Sequence, residues 1–170
     1  MRWRVWAGLA LVLALPARAQ SEVTQANWVG TVTYVVDGDT VHVRPSNGGA
    51  VHKIRISGMD APEICQTGGA ASRQALQARV LRRSVTLRMQ GQGVDDYGRD
   101  LATLYLSGED VGQWMVQRGH AWSYRYLRDP GPYVQEEAHA KLLSRGLFAE
   151  MSAEYPRDFR RRHGPCPHRP

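Results

Sequence analysis

The chain has 170 residues, two cysteines, 42% hydrophobic residues and a formal charge of +6. That length suits one domain with a core of its own rather than several. The charge sits at the ends: residues 1–19 hold three arginines and no acid, and residues 157–170 hold five arginines and one acid. This leaves 14 basic and 15 acidic residues between them and excludes a polybasic nucleic-acid platform.

The first residues, MRWRVWAGLALVLALPARAQ, have a charged start, an apolar run from Val5 to Leu15 and an Ala17-Arg18-Ala19 end. That order is a secretory signal peptide, with cleavage expected near Ala19. The run is shorter than the about 20 apolar residues that a membrane span needs. Residues 1–19 are therefore expected to be removed, leaving an exported protein, periplasmic or secreted, with a short lead over 20–27.

From there the apolar period points to strands. VGTVTYVV (29–36), TVHVR (40–44) and AVHKIRIS (50–57) alternate, and SNGG (46–49) supplies a turn. In the third strand Val51, Lys53, Arg55 and Ser57 share a face. GGAASRQALQARVLRR (68–83) changes to a helical period, with Ala71, Ala75, Leu76, Ala78 and Val80 on its apolar side. SVTLRMQ (84–90) and LATLYLS (101–107) are strands four and five, joined through the turn DDYGRD (95–100). DVGQWMVQRG (110–119) and PYVQEEAHAKLLSRG (132–146) are further helices, the last with Glu137 and Lys141 as an i,i+4 charge pair. Five strands, a helix between the third and fourth, and helices after the fifth predict an α+β fold. It is a five-stranded OB-fold Greek-key β-barrel with about three helices, spanning 28–150.

Residues 151–170 form a Pro- and Arg-rich tail, expected to be mobile. It is read either as a solvated end or as a weak electrostatic tether for polyanions. In an oxidising compartment Cys65 and Cys166 are expected to form a disulfide, closing a loop of about 100 residues. Two free thiols, or a metal site of His163, Cys166 and His168, are the alternatives.

Three short stretches carry the chemistry. Asp37-Gly38-Asp39-Thr40 stands where the first strand turns into the second. D-G is a turn dipeptide, but alternation directs Asp39 inward, where a carboxylate needs a cation or a partner. Beyond the third strand come Asp60 and Glu63, flanking Ala61-Pro62, with Arg55 just before them. Asp39 and Asp60 with one backbone carbonyl would hold calcium and leave room for a phosphate oxygen. Arg99 follows a Tyr-Gly turn, and two arginines facing a metal-bound phosphate could bind it bidentately and stabilise the charge building at phosphorus.

In order, DGDT…R…DAPE…DYGR resembles the staphylococcal nuclease (thermonuclease) family, over about Trp28 to Phe148. The resemblance implies calcium (Ca2+) held by Asp39, Asp60 and the carbonyl of Ala61, where the family has threonine. It implies Glu63 as general base on the attacking water, and Arg55 and Arg99 as the phosphate-binding arginines. Tyr97, Tyr124 and Tyr126 match tyrosines that line a nucleotide cleft; core packing stands beside base stacking as their reading. The implied reaction is in-line hydrolysis of DNA and RNA leaving 3′-phosphate ends, with single-stranded regions favoured and a monomer as the default. Two departures stand out: the loop after Glu63 is short, and Asp96 replaces a lysine beside the nucleotide. A non-catalytic OB-fold module binding single strands is the alternative, and a structural calcium-binding domain a third. The presence of Asp39, Arg55, Asp60, Glu63 and Arg99 together favours the enzyme.

Overall fold

The computed structural model describes residues 27–95, 97–150, 153–164 and 166. The expected signal peptide, residues 20–26 of the lead, Asp96 and His168 lie outside the described residues.

Strands β1 (Asn27–Val35), β2 (Thr40–Pro45) and β3 (His52–Ile56) form an antiparallel meander. There follow β4 (Met59–Asp60), α1 (Gly69–Val80), β5 (Ser84–Val94), β6 (Asp100–Leu106) and β7 (Glu109–Asp110). Then come α2 (Val111–Gln117), β8 (Trp122–Ser123), α3 (Val134–Leu142), a 3-10 turn over Gly146–Ala149, and α4 (Pro156–His163). β5 pairs antiparallel with both β1 and β6. β6 then pairs parallel with β3, setting Ile54 against Asp100, and this pairing closes the barrel. The α+β five-stranded OB-fold read from the sequence is the fold observed, with α4 as a fourth helix.

Alternation builds the interior. Val32, Val35, Val41, Val43, Ile54, Ile56, Val85, Leu87, Ala102 and Leu104 all face it and are buried. The register slips between Val32 and Tyr34, so Thr33 and Tyr34 are both exposed and Val35 returns to the core. A bulge of this kind bends a strand towards closure. β3 is shorter than expected: Val51 lies outside it and is exposed, while Ile54 and Ile56 turn inward and Arg55 faces the other way. The buried face of α1 also differs. It is Gly69, Ser72, Leu76 and Val80, spaced by three and four, whereas Ala71 and Ala78 are exposed. Alanine tolerates either side, so its positions misplace the face by part of a turn.

Outside the barrel β4 pairs with β8, Asp60 opposite Trp122. β8 is fixed in turn by Glu137 of α3, which is 2% exposed and accepts the Ser123 N–H at 2.9 Å along with Arg125 and Lys141. The expected i,i+4 pair is thus present, but its carboxylate is buried and holds a strand.

Candidate active site

The segments around Asp39, Arg55 and Asp60 meet beside the barrel wall. Asp39 ends the β1–β2 turn and is 6% exposed. Its Oδ1 accepts from the Thr40 hydroxyl at 2.9 Å and its Oδ2 from the Ala61 N–H at 3.1 Å. Asp39 is therefore buried, but its partners belong to the neighbouring segments rather than to the apolar barrel interior. Arg55 lies against Asp39 and Asp60 alike: one guanidinium nitrogen is 3.3 Å from Asp39 Oδ2 and 3.3 Å from Asp60 Oδ1. Its other terminal nitrogen donates to the carbonyls of Ile56 and Met59, which locks the side chain over the β3–β4 turn.

Burial shapes the ionisation here. Desolvation is the largest influence on Asp60 and raises its pKa, although Arg55 opposes this. Asp37, the other aspartate of the turn, is pushed up to about 7, by burial first and by Asp39 second. Asp37 accepts the Asp39 N–H at 3.0 Å and so shapes the turn that presents Asp39.

Glu63 follows Pro62 and precedes the turns over 64–68 that lead to α1. Its N–H donates to the Gln66 side chain at 3.1 Å and its carbonyl accepts the Gln66 N–H at 2.8 Å. That carbonyl also presses on the first turn of α1: a Cβ on Gly69 would lie 1.9 Å from it. Arg99 stands just before β6. It pairs with Asp95 at 2.8 Å and reaches the Thr40 hydroxyl at 3.4 Å, so Thr40 connects it to Asp39. Its guanidinium lies 5.1 Å from the centroid of the Tyr97 ring.

The tyrosines are not core residues. Tyr97 is 73% exposed, Tyr126 65% and Tyr124 43%. Tyr124 follows β8 and donates its N–H to the Gly58 carbonyl, which sets it next to the β3–β4 turn. Their exposure corrects the packing reading and leaves their rings available to a ligand.

Two findings lie outside the sequence reading. Thr40, fully buried, bridges Asp39 and Arg99. Arg160, in the stretch expected to be a mobile tail, donates to Glu63 at 2.8 Å and to the two oxygens of Asp60 at 3.3 and 3.2 Å. It does so because 156–163 is helical and because Cys65 and Cys166 are joined by a disulfide, Cα to Cα 5.7 Å. The helix was legible: Pro156 at its start, Asp158 in the first turn and Gly164 after it are the usual signals.

The profile of the staphylococcal nuclease homologue family matches residues 53–150. The chain belongs to the staphylococcal nuclease family. It is 33% identical over 131 residues to an uncharacterized endonuclease of Haemophilus influenzae, covering 76% of this chain and 71% of that protein. It is 30% identical over 168 residues to a micrococcal nuclease of Shigella flexneri, covering 92% and 90%. It is 32% identical over 174 residues to a protein named ParB of Escherichia coli, covering 95% of each. Within this staphylococcal nuclease fold the match includes Arg55, Asp60, Ala61, Glu63 and Arg99, while Asp39 precedes it.

Proposed function

We propose that this chain is an exported, calcium-dependent nuclease that hydrolyses phosphodiester bonds of DNA and RNA. The observation that carries the reading is the convergence of Asp39, Arg55, Asp60 and Glu63, with Arg99 tied in through Thr40. The family and relatives named endonuclease or micrococcal nuclease support a hydrolase of nucleic acid.

The donor chemistry fits a hard divalent cation. Asp39 and Asp60 turn oxygens to one and the same guanidinium nitrogen, and burial raises the pKa of Asp60 despite two arginines beside it. A carboxylate in that position gains from a stronger counter-charge. Among the described residues no three His, Cys, Asp or Glu side chains converge on a metal. The proposed set needs only two, Asp39 and Asp60, with the Ala61 carbonyl and water. Bound there, calcium would neutralise charge on the phosphoryl group.

The chain's own residues supply the rest. Arg55 and Arg99 hold and neutralise the phosphate oxygens, as planar forks suit. Glu63, part-exposed, accepts a proton from the attacking water. Tyr97, Tyr124 and Tyr126 offer exposed rings to unpaired bases, which favours single strands.

The test is cleavage of single-stranded DNA by the mature protein, with calcium and with a chelator, beside Glu63→Gln purified identically. Expected is calcium-dependent cleavage that falls by about a hundredfold or more in the variant. Strand binding without cleavage by the unaltered protein would replace the enzyme with a binding module.

A further inference from the structure

Asp60 is fully buried, yet both its oxygens accept from Arg160, and one of them also accepts from Arg55. Arg160 additionally takes Glu63, the proposed base. One side chain from the C-terminal helix thus spans a proposed metal ligand and the proposed base.

Its placement is enforced at both ends of α4 by the loop that follows Glu63. Before the helix, the Gln66 side chain donates to the Glu154 carbonyl at 2.7 Å, and Tyr155 packs edge-on against Trp122 with ring centroids 5.9 Å apart. After it, Cys166 is bonded to Cys65. The helix can therefore neither slide nor swing away without breaking a covalent bond or a packed aromatic pair. Arg160 keeps 35% of its side chain exposed, whereas the Asp60 side chain it holds is 1% exposed.

We propose that Arg160 is a positioning residue of this site: held by the disulfide-anchored α4, it orients Asp60 and Glu63 as a built-in cation and must yield Asp60 to an arriving divalent cation. The inference rests on the metal reading above. Arg160 and the metal are both positive and use the same Asp60 oxygens, so each weakens the hold of the other. In the metal-free protein Arg160 spares Asp60 and Glu63 their mutual repulsion. When the metal is bound it is free to turn to Glu63 alone or to the phosphate. The strength of metal binding is in this way set by the C-terminal helix.

The experiment uses the oxidised mature chain and calcium alone, without nucleic acid. Calcium affinity is read by calorimetry and the melting temperature is followed with and without calcium. Compared are the unaltered protein, Arg160→Gln, Arg160→Lys and Asp39→Asn. Expected for Arg160→Gln is a lower melting temperature without calcium, because buried Asp60 loses a partner. It is also expected to bind calcium about tenfold or more tightly, since a competing charge is gone, with a larger rise in melting temperature on adding it. Arg160→Lys, which keeps the charge without the planar fork, falls between.

A purely structural role would lower the melting temperature and leave calcium affinity unchanged; that result overturns the proposal. So does unchanged affinity combined with weaker binding of a single-stranded oligonucleotide in chelator, which would make Arg160 a phosphate ligand. Loss of calcium binding in Asp39→Asn establishes the metal reading independently, so a null result at Arg160 then counts against Arg160 alone. Absence of calcium binding in all four proteins overturns both.

Discussion

A Cβ on Gly38 would lie 2.1 Å from Ser72 Oγ and 2.7 Å from the Ala61 Cβ. Gly38 is not among the residues with positive φ, so backbone conformation is not what demands glycine there. What demands it is the approach of the Asp37–Asp39 turn to α1 and to the residue after Asp60. The residues on either side of Gly38 thus reach the site only because nothing projects from Gly38 itself. Gly38→Ala is expected to cost about 1–3 kcal/mol in urea unfolding, as overpacking does, and to lower activity by shifting Asp39. Unchanged stability would refute close approach as the reason for glycine, because rotating the Ser72 hydroxyl away would still leave the Ala61 Cβ at 2.7 Å. Asp39, Arg55, Asp60, Glu63 and Arg99 stood out in the chain because DGDT, DAPE and DYGR occur in the order and spacing of the staphylococcal nuclease family; singly, each has an ordinary reading as a turn or surface residue. The bridging role of Thr40 did not, because a threonine opening a strand looks like any other.

At the scale of elements, α4 departs most from expectation. An arginine-rich end has the composition of a solvated segment, and 157–162 lies mostly at the surface. Its helix signals, Pro156, Asp158 and Gly164, set where a helix starts and stops but not what it packs against. The covalent bond and the packing of Tyr155 on Trp122 give the segment an address that no local propensity supplies. The disulfide closes a separation of 101 residues, and a loop of that length is worth up to about 5 kcal/mol in the chain-entropy model. Cys65→Ser is therefore expected to lower the melting temperature of the oxidised protein, and reductant to do the same to the unaltered chain but not to the variant. Equal melting of the unaltered protein with and without reductant would refute it. The same bond ties α4 to the loop after Glu63, so its loss is also expected to loosen Arg160.

For the molecule as a whole, His120 makes one contribution to the dependence of stability on pH. It lies after α2, 5.9 Å from the Trp114 ring, and its pKa is lowered from the ordinary 6.5, by burial first and by Arg118 second. The folded state thus keeps this histidine neutral where the unfolded chain would take up a proton. As pH falls through 6.5 the unfolded state takes up a proton at this position before the folded state does, so the His120 contribution declines until its folded-state pKa is reached. Its sign is opposite to that of Asp37, whose raised pKa favours the folded state as pH falls below about 7. The His120 contribution is whole above 6.5 and lost below it. His120→Gln is expected to flatten the decline in melting temperature just below pH 6.5, and an unaltered slope would remove His120 as its source.

By itself the sequence determined the strand order, the helix between the third and fourth barrel strands, and the residue types of the site. The elements follow from local period and turn chemistry, written in neighbouring residues, and the candidate-site residues from the resemblance of DGDT…R…DAPE…DYGR to the family. Tertiary structure alone decided which side of α1 is buried, that Glu137 is a buried clamp on β8, and that Tyr97, Tyr124 and Tyr126 stand clear of the core. It alone brought Arg160, 100 residues from Asp60, onto the same carboxylate. The two cysteines announced the covalent closure that draws the C-terminal segment to the loop after Glu63, but which side chain then meets Asp60 depends on how the elements pack, and a residue's own neighbours in the chain carry no record of that.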